Sequence, residues 1–406
     1  MRVLSAIFLL LFSACVNAEE KPLKVYILAG QSNMEGQARS RVIDYMKEDP
    51  ETLELYNEIK AADGTHKLIK DTWISLISGE QGRLDAKNRE VHGQLTVGYG
   101  TQWGRDYAKA GDVLGPELAF GITLQKHLNE PVLIIKAAWG GQSLYNDFRS
   151  PSSGPYLQTE HNKGKFETAE KAAKTKAATG ARYRQMIEHV RYVLKDIKRV
   201  CPQYRGQGFE LAGFAWFQGW NDMVDSSTYP DKNKPGGYAE YTRLMSNFIK
   251  DVRKDLQAPQ MPFVIGVMGV GGDDVKGAQL NFREAMAATA SQSEFKGNVA
   301  AVQTAPFWDN KLHAIDQKHD QVRQMSYFLR VKHKNHANSD GKMSKEQQHK
   351  YIEEYRQKLF TDADRELEAK GKSNAAYHYL GSAKIYSLIG QAFAKAVIDM
   401  SAKKEE

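Results

Sequence analysis

The sequence predicts an α/β protein, a three-layer α/β/α sandwich around a central five-stranded parallel sheet. Five short runs are almost continuously apolar, which is typical of strands buried on both faces. They cover residues 24–29, 132–138, 211–217, 263–267 and 299–303. Segments with apolar residues at helical spacing alternate with these runs, at residues 116–128, 182–199, 238–256, 277–290 and 383–400. This alternation, with right-handed crossovers, places helices on both faces of the sheet.

The helices are identified by their faces and their first residues. In residues 182–199, Met186, Val190, Val193 and Ile197 lie on one face at a spacing of three or four residues. The 116–128 segment begins with Pro and Glu, as helix N-termini do. Two polar regions, residues 51–103 and 308–371, do not follow the core pattern. We interpret them as insertions in a single domain that covers residues 19–406.

The N-terminus predicts export. Arg2 precedes the long apolar run of the chain, and small residues ending in Ala18 follow it. This is the pattern of a secretory signal peptide over residues 1–18, cleaved after Ala18, and the run is too short to span a bilayer comfortably. The protein is therefore expected to be secreted or periplasmic, with no stable membrane insertion. Lipidation at Cys15 is a minor alternative.

Composition narrows the class of protein. Among 406 residues, 41% are hydrophobic and 10% aromatic, which excludes a disordered chain. Cys15 and Cys201 are the two cysteines, so a chain cleaved after Ala18 has no internal disulfide. The formal net charge is +7, but the lysines are dispersed and no nucleic-acid motif accompanies them. Nucleic acid is not an expected partner, and the sequence leaves the oligomeric state open.

Four short blocks hold candidate catalytic residues. Ser32 follows the first strand, Gly140 and Gly141 follow the second, and Asn221 follows the third. Ligands of open α/β sheets lie beyond the carboxyl ends of the strands, so these blocks should meet there. The fourth block holds His378, which precedes the last helix and is a candidate general base for Ser32. Taken singly, each block also fits an ordinary polar turn or a structural histidine.

In this order the four blocks resemble the SGNH hydrolase superfamily. The segments LAGQSNM (28–34), AAWGG (137–141), WFQGWND (216–222) and GPE (115–117) are similar to its branch of sialate O-acetylesterases and family six carbohydrate esterases. The resemblance implies a flavodoxin-like fold, with Ser32 as nucleophile and His378 as its base. It also implies an oxyanion hole made by the Ser32 N–H, the Gly141 N–H and the Asn221 amide, with Gly140 as the alternative to Gly141.

The chain departs from the SGNH pattern at the third catalytic position. Many members of the superfamily have Asp three residues before the histidine, where this chain has Ala375. Candidates for the residue that orients His378 are Asp222, Asp309 and Asn374, and a Ser–His dyad is also possible. An amide at this position would hold the tautomer but stabilise imidazolium less than a carboxylate does.

The substrate wall is expected to include Gln31, Gln218 and Trp220. The histidine-rich stretch around residues 313–349 has spacings that match no common metal motif. We therefore expect no metal and no cofactor.

The sequence predicts an exported serine esterase that removes O-acetyl groups from a carbohydrate, through an acyl-enzyme on Ser32. An acetylated glycan is the expected partner, and sialate, xylan and other decorated polysaccharides all remain open. Two alternatives are a general or lipase-like esterase and a non-catalytic carbohydrate-binding protein on the same scaffold. The absence of an acidic residue at position 375 keeps the binding-protein alternative open.

Overall fold

The computed structural model of the protein describes residues 21–79, 89–101 and 111–405. The predicted signal peptide and Cys15 lie outside these residues. No helix in the described ranges has both the length and the apolar character needed to cross a lipid bilayer.

A seven-stranded sheet forms the centre of the molecule. Its order is β4-β3-β6-β1-β7-β8-β9, and all neighbours are parallel except β3 and β4. A separate two-stranded ribbon pairs β2 with β5. The strands are β1 (Leu23–Gly30), β2 (Ala38–Arg39), β3 (Thr72–Ser78), β4 (Arg89–Gln94), β5 (Val113–Leu114), β6 (Val132–Ala138), β7 (Phe209–Phe217), β8 (Phe263–Val267) and β9 (Val299–Gln303).

The predicted parallel core is confirmed, and two strands extend it. The five predicted strands are adjacent, in the order β6-β1-β7-β8-β9. The prediction of five strands was incomplete, because β3 and β4 come from the region interpreted as the first insertion and continue the sheet beyond β6. Strand β4 has the sequence REVHGQ and buries little of its surface, so no apolar run marks it.

Helices cover both faces of the sheet. They are α1 (Ser32–Glu35), α2 (Pro50–Ile59), α3 (Pro116–Leu128), α4 (Ala169–Ala178), α5 (Ala181–Lys195), α6 (Ile197–Val200), α7 (Trp220–Val224), α8 (Ala239–Asp255), α9 (Ala278–Ala288), α10 (Asn310–Arg330), α11 (Lys345–Leu359), α12 (Asp362–Gly371) and α13 (Ala383–Glu405). Among the 3₁₀ segments of the described residues, Ser40–Glu48 precedes α2 and Ala376–Gly381 precedes α13.

Alternate residues of β7 show the three layers. Phe214 and Trp216 contact Phe248 of α8, with ring centroids 6.1 and 4.5 Å apart. Phe217, on the opposite face, contacts Phe393 of α13 at 5.4 Å. Successive side chains of a strand point to opposite faces, so α8 and α13 lie on opposite sides of the sheet.

Residues 308–371 form mainly the helices α10, α11 and α12. These helices enclose a small apolar cluster, distinct from the main core, made of Ile315, Val322, Leu329, Ile352 and Phe360. The division of the chain into one domain with two insertions stays a prediction.

Candidate active site

Three adjacent strands end side by side. Gly30 of β1 pairs with Ala138 of β6 and with Phe217 of β7. A Cβ atom at position 30 would lie 2.1 Å from the Phe217 carbonyl oxygen, so only glycine allows this close approach. The Ser32, Gly141 and Asn221 blocks therefore begin side by side, at the carboxyl ends of these three strands.

Ser32 begins α1 directly after β1. The Gln31 N–H donates to the Phe217 carbonyl at 3.2 Å, which fixes the chain as it leaves the strand. The Ser32 residue is 4% exposed. Its N–H lies in the first turn of the helix, where backbone donors have no intrahelical acceptor. It accordingly has no acceptor in the part of the chain that the structure describes.

Gln31 orients the Asn221 side chain. The Gly219 and Asn221 N–H groups, which can only donate, approach Gln31 Oε1 at 3.0 and 3.4 Å. The other end of the Gln31 amide is therefore its NH₂ group, which donates to Asn221 Oδ1 at 3.0 Å. The Asn221 Nδ2 group then remains as a donor on the far side of the amide, and no acceptor engages it within the described residues.

Asp222 is buried beneath this site and does not face His378. Its carboxylate accepts from the Leu144 and Tyr145 N–H groups at 2.8 and 3.0 Å, from Gln218 Nε2 at 2.6 Å and from the Tyr229 hydroxyl at 3.0 Å. Burial raises the pKa of Asp222 to about 6, against the effect of these donors. Its contacts fasten the loop after β6 to the loop after β7.

The two candidate donors in the turn after β6, Gly140 and Gly141, differ in the partners of their N–H groups. The Gly140 N–H interacts with the Glu35 carboxyl group, whose pKa burial raises to about 7 while Lys136 and Gly140 act in the opposite direction. Gly141 is exposed and has φ of +73°, and its N–H has no acceptor within the described residues. Gly141 is therefore the better placed of the two to donate to a ligand.

A buried lysine supports the same end of the sheet. Lys136 on β6 is 0% exposed, and its Nζ donates to Glu117 Oε2 at 2.6 Å. The same Nζ donates to the Glu35 and Tyr99 carbonyls at 2.8 Å each. The Gly115 N–H donates to the second Glu117 oxygen at 2.9 Å. This ion pair joins the end of α1 to the start of α3.

His378 lies in the segment formed by residues 373–381, here called the histidine segment. Its Nδ1 lies 3.1 Å from Asn374 Oδ1. That oxygen also accepts from the Ala375 N–H at 2.8 Å, which identifies it as the amide oxygen. In neutral His378 the proton therefore sits on Nδ1, and Nε2 carries the lone pair. Burial lowers the pKa of His378 to about 4.

Two hydrogen-bonding groups hold the histidine segment against α1. Asn33, next to Ser32, donates to the Tyr377 carbonyl at 3.1 Å. The Tyr386 hydroxyl lies 3.0 Å from Asn33 Oδ1 and 3.2 Å from the His378 carbonyl. The Ser32 hydroxyl and the His378 ring are not hydrogen bonded to each other in the described residues. Such bonds are often long in the absence of substrate.

The histidine segment contains two residues in an unusual backbone conformation. Tyr379 and Leu380 have φ of +49° and +59°, in the left-handed region that non-glycine residues rarely adopt. The buried Tyr379 hydroxyl accepts from the Gly269 N–H at 2.7 Å and lies 2.7 Å from Thr304 Oγ1. The loops that follow β8 and β9 therefore hold this turn in place.

Of the three candidates for orienting His378, only Asn374 contacts it. Asp309 caps α10 through the Lys311 and Leu312 N–H groups. Its other oxygen lies 3.1 Å from the Tyr45 hydroxyl and 3.2 Å from Lys384 Nζ. The carboxylates of Asp222 and Asp309 are thus engaged elsewhere.

The three residues expected on the substrate wall differ in their exposure to solvent. Gln31 and Gln218 are each 2% exposed. Gln218 donates to Gln142 O and to Asp222, and accepts from the Tyr241 hydroxyl. Both glutamines are hydrogen bonded inside the protein, and their place on the substrate wall stays a prediction. Trp220 is partly exposed, and its ring lies 5.7 Å from that of Tyr377, a residue that the sequence did not suggest for the wall.

No group of three or more His, Cys, Asp or Glu side chains in the described part of the chain is arranged to hold a metal ion. The histidines of the 313–349 stretch have other neighbours. His319 contacts Glu368 at 2.7 Å, and His333 and His336 pack on Phe328.

A family model, described as carbohydrate esterase, sialic acid-specific acetylesterase, matches residues 22–327. The chain belongs to this family. Membership identifies the protein as a carbohydrate acetylesterase, and it favours the enzyme over the binding-protein alternative. His378 lies beyond the matched residues, so its role as the base stays a prediction.

Similar solved structures are distant. A protein from Arabidopsis thaliana is 17% identical, with a TM-score of 0.35, over 70% of this chain and 86% of that one. A carbohydrate acetylesterase from Xanthomonas citri is 15% identical, with a TM-score of 0.38, over 69% of this chain and 49% of that one. This esterase thus spans about half of the Xanthomonas protein. No curated protein matches it in sequence.

Proposed function

We propose that the protein is an exported serine esterase that removes O-acetyl groups from a carbohydrate through an acetyl-enzyme on Ser32. The observation that carries the proposal is the Gln31–Asn221 contact, because it leaves the Asn221 NH₂ group as a free donor at the strand edge where Ser32 lies. Family membership supplies the acetyl chemistry. Export rests on the signal pattern in residues 1–18.

The proposed reaction has two halves. His378 Nε2 takes the Ser32 hydroxyl proton as the Ser32 oxygen attacks the acetyl carbonyl. The Ser32 N–H, the Gly141 N–H and Asn221 Nδ2 donate to the resulting oxyanion. His378 returns the proton to the departing sugar oxygen. Water then attacks the acetyl-enzyme with the same base, releasing acetate and free Ser32.

Asn374 takes the place of the missing acid in this proposal. Its amide oxygen holds the Nδ1–H tautomer that leaves Nε2 free to accept the proton. As a neutral group it gives less stabilisation to imidazolium than a carboxylate would. No metal or cofactor is required for any step.

The test is acetate release from an aryl acetate, from O-acetylated sialic acid and from acetylated xylan, by wild type and by Ser32→Ala. We expect release by wild type and loss of at least about 10³-fold in Ser32→Ala, with unchanged folding by circular dichroism. The ranking of the two glycans then assigns the sugar. Undiminished release by Ser32→Ala would contradict the nucleophile assignment.

A further inference from the structure

An aromatic pair, the exposed Tyr377 and the partly buried Trp220, borders the proposed catalytic residues. Tyr377 is 44% exposed although it is a large apolar side chain. Its ring lies 4.4 Å from the His378 ring and 5.7 Å from the Trp220 ring, at 40° to the latter. Trp220 directly precedes Asn221, so one ring of the pair packs on the proposed base and the other belongs to the residue before the proposed oxyanion donor.

The position of this pair is built into the fold. The Tyr377 carbonyl accepts from Asn33 at 3.1 Å, which fixes Tyr377 relative to the residue after Ser32. Trp220 begins α7, and the Gly219 N–H just before it is held by Gln31 at 3.0 Å. Hydrogen bonds therefore hold both aromatic residues in position relative to the turn that carries Ser32. The Tyr377 hydroxyl makes no hydrogen bond within the described residues, so polar contacts do not account for the exposed ring.

We infer that Trp220 and Tyr377 form a stacking platform for the pyranose ring that carries the acetyl group. This inference rests on the proposed function and names the part of the substrate recognised beside it. One face of a pyranose presents C–H groups, which pack on an aromatic ring as an apolar surface. Aromatic rings bury much area at low entropic cost and are frequent in ligand sites. The occupant is the sugar, because the pair adjoins the groups that would act on its ester.

The experiment compares a monoacetylated methyl pyranoside with glycerol monoacetate, which has hydroxyl groups but no ring. Tyr377→Ala and Trp220→Ala should each raise KM for the pyranoside by about 10-fold. The rise for glycerol monoacetate should be much smaller. Tyr377→Phe should retain the wild-type ratio of kcat/KM values for the two esters, because stacking needs the ring and not the hydroxyl. Tyr327→Ala is the matched control, since Tyr327 is a similarly exposed tyrosine, 50%, on α10.

Binding supplies a second measurement. In a Ser32→Ala background, calorimetry with the pyranoside should show weaker binding when Tyr377 is replaced by Ala and not when it is replaced by Phe. If Tyr377→Ala and Trp220→Ala leave the ratio of kcat/KM values for the two esters unchanged while Ser32-dependent turnover persists, the platform is overturned. Acetate release that does not depend on Ser32 instead overturns the proposed function.

Discussion

The imidazole of His378 and the side-chain amide of Asn374 face each other across 3.1 Å, Nδ1 to Oδ1. Many SGNH enzymes orient their histidine with a carboxylate, whereas here the acceptor is neutral. The ring is therefore oriented without an adjacent negative charge, and burial lowers its pKa to about 4.

This pair gives a pH prediction. The base must be unprotonated, so kcat/KM of the wild type should fall only as pH decreases through about 4. In Asn374→Asp the carboxylate favours the imidazolium, and the acidic limb should move up by about 1–3 pH units. Above that limb, kcat should rise by about 10-fold or more, because imidazolium is better stabilised. The measurement is the pH profile of kcat/KM, with Asn335→Asp on an exposed loop as the charge control. An unmoved limb would contradict the role of Asn374.

Gln31→Glu should make the Asn221 side-chain amide flip, so that its oxygen and its NH₂ group exchange places. The introduced carboxylate can still accept from the Gly219 and Asn221 N–H groups, but it cannot donate to Asn221 Oδ1. The Asn221 NH₂ group would then turn toward that carboxylate and leave its oxygen facing the oxyanion. We expect kcat to fall by about 10²–10³-fold, as for loss of one oxyanion donor. The double variant with Asn221→Ala should be no slower than Asn221→Ala alone, and additive losses would refute the link.

Tyr379→Phe tests the support of the histidine segment. Removing the hydroxyl leaves the buried Gly269 N–H without its acceptor. The free energy of unfolding should fall by about 1–3 kcal/mol, as measured by urea denaturation. We expect kcat to fall as well, since the turn that positions His378 loses its anchor. Tyr192→Phe, at an exposed position, should change neither quantity. A stability loss with unaltered kcat would separate the anchor from the proposed base.

The Lys136–Glu117 ion pair predicts that substitutions of the two residues have strongly non-additive effects on the free energy of unfolding. Lys136→Met should lower the free energy of unfolding by about 3–5 kcal/mol, because the fully buried Glu117 carboxyl group loses its cationic partner. Adding Glu117→Leu should recover part of that loss. A thermodynamic cycle of the wild type, both single variants and the double variant, with urea denaturation, checks this. Losses that simply add would show that the two side chains act independently.

Much of the fold was predictable because parallel strands buried on both faces leave continuous apolar runs in the sequence. Strand β4 left no such run, since it lies at the sheet edge and exposes much of its surface. Strands β1, β6 and β7 are neighbours, so Ser32, Gly141 and Asn221 follow the carboxyl ends of adjacent strands, as expected from the sequence.

The finer parts of the site depend on loop contacts that no spacing reveals. Asp222 was a candidate partner of His378, but four donors hold its carboxylate inside the protein. Tyr377 was not singled out, because its place beside Trp220 depends on the contact of its carbonyl with Asn33, which lies 344 residues away in the sequence.

The histidine segment also closes on itself. The Leu380 carbonyl accepts from the Ser373 and Asn374 N–H groups at 2.9 and 3.1 Å, and the Leu380 N–H donates back to the Ala375 carbonyl at 3.1 Å. The proposed base and its amide partner thus lie in one loop that its own backbone hydrogen bonds close, and contacts with Asn33, Gly269 and Thr304 hold that loop from outside. An exchange of this loop for that of a related esterase would have to preserve these outside contacts. A loop with a carboxylate in place of the Asn374 amide would place a negative charge beside His378 and keep the backbone that positions it. The segment is therefore the place at which to engineer the working pH of the enzyme.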